Sequence, residues 1–329
     1  MDLGCARKLT VRARVFQKHR DPWGRRVWRP FGERGRLPFM SDFLQFLFSG
    51  LTVGAVYALV ALGFTLIYNA SDVVNFAQGE FVMLGGMVTV FVSAAGVPLP
   101  IAALIAVAAS IVVGLMLYWF AIAPARDASA VSLIIITIGA SILLKGLAQV
   151  VFDKQFHKLP AFSGDAPIDL LGASILPQSL WVIGGTAVAV IVLYVFLEKT
   201  LLGKAVLATS ASRLAARLVG INTATIMALS FGGSAAIGAL AGILVTPITL
   251  TSYDVGTMMA LKGFAAAMLG GMGNPLGAVV GGLLLGLLET MGAGYLSSTY
   301  KDAFAFIMIL VVLFAMPQGL LGRRTVNRV

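Results

Sequence analysis

Nine stretches of predominantly apolar residues, most of them close to 20 long, run through this 329-residue chain, near 43–68, 73–92, 100–122, 131–151, 180–198, 221–246, 257–272, 276–296 and 303–320. A helix of that length, rising about 1.5 Å per residue, covers the ~30 Å hydrocarbon core of a bilayer. None of the runs alternates strictly between apolar and polar residues, which argues against a transmembrane barrel. Only 12% of the residues are charged, against ~25% in an ordinary soluble domain, and 59% are hydrophobic. The expected fold is all-α: a polytopic transmembrane bundle of eight or nine membrane segments.

One run opens with an anomaly. Residues 69–86 read NASDVVNFAQGEFVMLGG, placing Asp72, Asn75, Gln78 and Glu80 within nine residues. Hydrocarbon cannot satisfy such groups, so they must meet protein or water. Drawn as a helix at about 100° per residue, Asp72, Asn75, Gly79 and Gly86 share a sector of about 60°, with Gln78 and Glu80 to either side. The stretch is either a polar helix start at the interface, with Asp72 near a positive N-terminal turn, or a helix lining a water-filled part of a transport route. Lys262 and Glu289 are ionisable residues at membrane depth on neighbouring segments. They form either a structural ion pair or part of a permeation path.

Small residues recur at four-residue spacing, as in Ser234, Gly238 and Gly242, in Gly277 and Gly281, and in Gly282 and Gly286. Membrane helices pack closely through such positions, so glycine-rich packing is expected throughout the bundle. GNPLG at 273–277 is a turn signal, the short 257–272 segment suggests a half-helix or a tilted span, and Pro247 is expected to end the helix before it.

Charge sets an orientation. The 199–220 loop carries Lys199, Lys204, Arg213 and Arg217 and no acid, the C-terminus carries Arg323, Arg324 and Arg328, and Arg126 sits in the 123–130 connection. Short Lys/Arg-rich loops stay cytoplasmic, so these three are placed inside and the long, mixed 152–179 loop outside. Residues 1–39 hold eleven Lys/Arg and three acids, +8 of the total +10. They read as a basic, disordered arm ahead of a membrane domain at 40–322 and a short basic tail at 323–329. Anionic lipid is the expected partner of the arm; nucleic acid is not. A single cysteine, Cys5, excludes an internal disulfide, and His19 and His157, far apart in sequence, suggest no metal site.

The chain shows no energy source of its own. Gly203-Lys204 lacks the upstream glycine of a phosphate-binding loop and is followed by Ala205. No hydrolase motif is present, and an enzyme is not expected. The 199–220 loop, KTLLGKAVLATSASRLAARLVG, instead spaces Ala205, Ala208, Ala211, Ala215 and Ala216 as a small-residue helix ended by Gly220. Such a helix can seat in another protein's cleft while its basic residues meet an acidic rim.

These segments resemble the permeases of branched-chain amino acid ABC importers. Asn75, Phe76, Ala77, Gln78, Gly79 and Glu80 match the N-F-A-[HQ]-G-[ED] stretch of that family. GKAVLATSASRLAARLVGIN is similar to its cytoplasmic coupling segment, and LKGFAAAMLGGMGNPLGAVVGGLLLGLLE to its C-terminal signature. Leu207 and Leu214 depart from the Arg and the acid common there. The resemblance implies a multi-pass subunit of the cell inner membrane with a second permease subunit, two cytoplasmic ATPases that bind the ATP, and an extracytoplasmic substrate-binding protein; no cofactor is expected on this chain. It implies that Gly203, Lys204, Arg213, Ala215, Ala216, Arg217 and Gly220 meet the ATPase. Branched-chain amino acids are the expected cargo, with related amino acids, short amides or urea as variants. A sugar-importer permease and a passive channel for small polar solutes remain as alternatives.

Nine spans would leave eleven basic residues outside. Either segment 73–92 is re-entrant, leaving eight spans, or translation starts at Met40, directly before a membrane helix. Intact-mass measurement of natively expressed protein tests the second: a product beginning at Met40 is expected, and a species carrying residues 1–39 contradicts it.

Overall fold

The computed structural model describes residues 38–125, 128–164, 166–170, 173–316 and 318–322, and the backbone of 16–20 and 26–30. Strands β1 (Phe16–Arg20) and β2 (Arg26–Pro30) pair antiparallel. The rest of the basic arm, Arg126 and the tail 323–329 lie outside the described residues.

Each apolar run forms a helix. In chain order these are α1 (Pro38–Ser71), α2 (Gln78–Ala94), α3 (Leu99–Leu117), α4 (Ala130–Val151), α5 (Pro177–Lys199), α6 (Leu201–Ala211), α7 (Arg213–Leu218), α8 (Thr223–Thr249), α9 (Val255–Gly270), α10 (Pro275–Tyr295) and α11 (Lys301–Ala315). A π-helical turn, Tyr118–Ile122, extends α3. Among the described residues, six helices are long and apolar enough to cross a membrane: α1, α3 with its π turn, α4, α5, α8 and α10. Helices α2, α9 and α11 have 17, 16 and 15 residues. The chain is therefore a multi-pass helical membrane protein.

Polar residues mark the helix starts. Ser129 accepts from the Ser132 N–H ahead of α4, Asn222 from Ala224 and Thr225 ahead of α8, and Asn274 from Leu276 and Gly277 ahead of α10, where Pro275 occupies the first turn. Each cap satisfies N–H groups that a helix start leaves open. Pro247 lies inside α8, which runs on to Thr249, rather than ending it.

The connection between α4 and α5 holds β3 (Ile168–Leu170) paired with β4 (Ala173–Ile175). Gln45 at the start of α1 clasps this hairpin, donating to the Ser174 carbonyl at 2.9 Å and accepting from the Ser174 N–H at 2.8 Å. In the same connection the Asp153 carboxyl is held below the usual carboxylate range by the Gln155 N–H and then by His157.

Helix α1 is the central pillar, its residues from Ala55 to Ala70 mostly buried. By contrast α4 leaves Ile135, Ile142, Leu143 and Val150 exposed, and α5 leaves Val188, Ile191 and Val192 exposed. Apolar faces of this extent suit hydrocarbon rather than water. Helix α10 lies against α1 at backbone distance: a methyl group on Gly54 would stand 2.8 Å from the Leu283 Cα, and one on Gly286 would overlap the Gly54 backbone. Gly139, on α4, has nothing within 4 Å of the same position. Gly286→Ala is therefore expected to destabilise the bundle by about 1–3 kcal/mol, the usual cost of overpacking, while Gly139→Ala does not. Thermal unfolding in detergent reads the difference, and equal melting temperatures for the two variants would contradict the close approach.

Candidate translocation site

Helix α1 ends at Ser71 and α2 begins only at Gln78. The residues between are folded back by local polar bonds. Asp72 takes a left-handed φ of 51°, a conformation that Asp and Asn tolerate better than most residues, and its N–H closes on the Tyr68 carbonyl at 2.8 Å. Ser71 Oγ accepts from the Val73 N–H at 3.2 Å. Asn75 Oδ1 accepts from Ala77 N–H at 3.1 Å, the Asn75 carbonyl accepts from Gln78 N–H at 3.1 Å, and Phe76 N–H donates to Thr137 Oγ1 of α4 at 3.2 Å. The single helix expected from residue 73 is thus replaced by a break. Asp72 and Asn75 stand before α2 and share no helical face with Gly79 and Gly86.

Past the exposed Asp72 the break runs into the bundle, where Val73, Asn75 and Ala77 are buried. Gln78 donates from Nε2 to the Ser234 carbonyl at 3.2 Å, and Ser234 Oγ reaches both Gln78 Oε1 and the Gly63 carbonyl, the latter at 2.8 Å. From Gly63 to the end of α1 is about 12 Å of helix, so α2 starts well below the end of the pillar it packs on. The start of α9 meets it there. A methyl group at Gly79 would overlap the Gly256 carbonyl and stand 2.8 Å from the Ala260 Cβ. Two helix N-termini, each with a positive dipole end, therefore converge in the interior.

Glu80, in the first turn of α2, is fully buried at this junction. Its Oε1 accepts from Ser141 Oγ of α4 at 2.8 Å. Its Oε2 faces Gly256 and has no hydrogen-bond partner among the described residues; the same holds for Asn75 Nδ2. Helix α4 thus meets the junction through Thr137 and Ser141, one turn apart. Lys145, a turn further on, pairs with Asp254, the residue before α9.

A cavity of about 1010 Å³ opens beside the break, lined among others by Asp72, Tyr194, Glu198, Ser210, Phe264 and Asn274. Phe264 packs on Phe76 and Phe64, with ring centroids 5.4 and 5.9 Å apart. Of the six residues singled out for the route, Asp72 lines this cavity, while Asn75, Gln78 and Glu80 are buried at the junction of α2 with its neighbours.

Lys262 and Glu289 meet in a separate cluster. Lys262 Nζ lies 2.7 Å from Glu289 Oε1 and 2.6 Å from Asp302 Oδ1, and it donates to Tyr57 Oη at 3.1 Å. Tyr57 in turn donates to Glu289 Oε2 at 2.9 Å. The Lys262 and Glu289 side chains are only 8% and 7% exposed. Asp302 and Tyr57 carry no distinguishing pattern in the sequence, and only the packing of α11 and α1 brings them here. Lys145 had a signal, as an ionisable residue inside an apolar run.

The expected coupling helix is two helices. Ser212, extended at φ −162°, breaks α6 from α7 and caps the second by accepting from the Ala215 N–H. Gly203 is buried in the first turn of α6, Ala216 is buried, and Lys204, Ala215 and Arg217 are exposed. After α7 the chain turns through Gly220 at φ 87°. Ile221 N–H bonds to the Ala216 carbonyl and Gly220 N–H to the Arg217 carbonyl, the paired bonds of a glycine-terminated helix. Arg213 Nη2 lies 3.5 Å from Asp72 Oδ2, joining α7 to the break.

Removing one partner of a buried ion pair strands the other charge, at about 3–5 kcal/mol. Lys262→Met is therefore expected to lower the melting temperature steeply, and Lys262→Met with Glu289→Gln to recover part of the loss. A double variant no better than the single one contradicts the pairing as the source of the effect.

Comparison with known proteins places this architecture. Residues 46–313 match the family model described as branched-chain amino acid transport system / permease component. The chain is 35% identical over 304 residues to the high-affinity branched-chain amino acid transport system permease protein LivH of Escherichia coli (strain K12), covering 87% of this chain and 98% of that one. It is 33% identical to the corresponding protein BraD of Pseudomonas aeruginosa, covering 89% and 100%. The ribose import permease protein RbsC of Escherichia coli (strain K12) is more distant, at 27% identity over 80% of this chain and 83% of that one. The chain belongs to the branched-chain amino acid transport permease component family, a family of membrane transport subunits rather than of enzymes.

Proposed function

We propose that this chain is the membrane-spanning permease subunit of an ABC importer that carries branched-chain amino acids across the inner membrane, driven by ATP hydrolysis in separate subunits. The observation that carries the reading is its likeness, along nearly the whole length, to LivH and BraD, both named as permeases of high-affinity branched-chain amino acid systems. The lower identity to the ribose permease favours amino acids over sugars as cargo. In this reading a second permease subunit completes the membrane unit, two ATPases bind from the cytoplasm, and a substrate-binding protein delivers cargo outside.

The segment from Gly203 to Gly220 is the part the ATPases grip. On α7, Leu214 and Leu218 are 71% and 80% exposed, an apolar knob suited to a cleft, and the exposed Arg217 and Lys204 supply charge for an acidic rim. Movement of α7 reaches the membrane domain through the Arg213–Asp72 contact, beside the cavity. With the basic loops inside, that cavity faces the cytoplasm and is the exit side of an alternating-access cycle. Helices α2 and α9 then act as two half-spans meeting at mid-depth, and with α11 they bring the membrane segments to nine.

Reconstituted with these partners in proteoliposomes, the chain is expected to take up leucine only when ATP is supplied; uptake with no ATPase present contradicts the reading in favour of a channel. Proline cannot adopt the positive φ of Gly220. Gly220→Pro and Ala215→Trp are expected to lower both leucine uptake and recovery of the ATPase with the tagged chain. Unchanged recovery and uptake in both variants would remove the coupling assignment.

A further inference from the structure

A free α-amino acid carries an ammonium and a carboxylate a few ångströms apart, and neither enters the membrane interior without an opposite charge or a dipole to meet it. Besides the Arg213–Asp72 contact, two clusters of ionisable residues stand within or at the edge of the helical bundle among the described residues. In the first, Lys262 is held by Glu289, Asp302 and Tyr57, with its side chain 8% exposed. Its ammonium donates to Glu289 and Tyr57 and is ion-paired with Asp302, so its charge is already matched by carboxylates of this chain.

The second cluster is open. Lys145 of α4 pairs with Asp254, and their side chains are 33% and 59% exposed. The Tyr253 ring lies 5.9 Å from Lys145 Nζ. Asp254 precedes α9 without capping it, since no side chain bonds to that helix start. The Val255 N–H goes to the Ser252 carbonyl at 3.3 Å, while the next N–H groups, of Gly256 and Thr257, have no cap from the Asp254 side chain beside them. One turn along α4 from Lys145 is Ser141, which holds one oxygen of the fully buried Glu80; the other, Oε2, is aimed at the α9 start and has no hydrogen-bond partner among the described residues. One cation, two carboxylates and an uncapped helix start thus share one seam between α4, α2 and α9.

We propose that this seam is a recognition site for a zwitterionic α-amino acid, whose two charges exchange for the Lys145–Asp254 pair. The substrate carboxylate goes to Lys145 and the start of α9; the ammonium goes to Asp254 and Glu80 Oε2. An ion pair that a ligand replaces charge for charge costs less to open than one left broken, because neither side chain is stranded. The assignment rests on the import reading above and names the groups on this chain that read the cargo's main-chain atoms.

The test is a labelling experiment on the assembled complex in nanodiscs. Cys5, the sole cysteine, is replaced by Ser, and the exposed Thr257, at the start of α9, by Cys. Millimolar leucine is expected to slow maleimide modification of that cysteine about tenfold, equivalent to about 1.4 kcal/mol. The compounds 4-methylpentanoate and 3-methylbutylamine, each lacking one charge, are expected to give no protection, and Lys145→Met or Glu80→Gln to abolish it. The exchange Lys145→Asp with Asp254→Lys keeps an ion pair at the same two positions. It sets the new acid beside Glu80, so protection is expected to be lost. Protection by either single-charge compound, survival of protection in Lys145→Met, full protection in the exchanged pair, or no protection by leucine at all overturns the site. Absence of ATP-driven uptake with protection intact counts against the import reading alone.

Discussion

A peptide group without a hydrogen bond is nowhere more costly than in hydrocarbon, and that constraint shapes this chain. Every apolar run is a helix because a helix satisfies its own backbone. Where the helix stops inside the bundle, between Ser71 and Gln78, neighbouring groups take over. Ser71, Asn75 and the α4 residue Thr137 receive the freed N–H groups. A second interruption, between Thr249 and Val255, is held by reciprocal backbone bonds between Thr251 and His157, at 2.8 and 2.9 Å.

Two breaks make two helix starts, and glycine lets them meet. Gly79 and Gly256 bring α2 and α9 to backbone contact, so the bundle contains a place where two helix dipoles and a buried carboxylate share one volume. On one side lies the cavity with Phe264 on its wall; on the other is the exposed pair of Lys145 and Asp254. In the proposed import cycle, helices that meet end to end inside the bundle give a point at which it can part. The Arg213–Asp72 contact places α7 next to one of the two breaks.

Much of this was legible in the sequence. Each of the nine apolar runs corresponds to a helix among the described residues, with starts and ends shifted by a few residues, and six of those helices are long enough to span a bilayer. The polar stretch at Asp72–Glu80 was visible as an anomaly, but a helical wheel assumes a continuous helix. The left-handed Asp72 and the turn at Asn75 removed that assumption. Lys262 and Glu289 stood out by charge, whereas Tyr57 and Asp302 join them through packing that no local pattern encodes. Ser212 divides the helix expected at 199–220 because its extended backbone and capping hydroxyl outweigh the helical spacing of the alanines around it.

The most direct test of the interrupted-helix architecture is hydrogen exchange on the protein in a lipid nanodisc, read at residues 76–80. The bonds described for Phe76, Ala77 and Gln78, and that of the Glu80 N–H to the Ala77 carbonyl at 3.1 Å, require these amides to exchange as slowly as those of the flanking helices, although three of them precede or begin α2. Exchange as fast as that of the exposed connection between α4 and α5 would contradict the account.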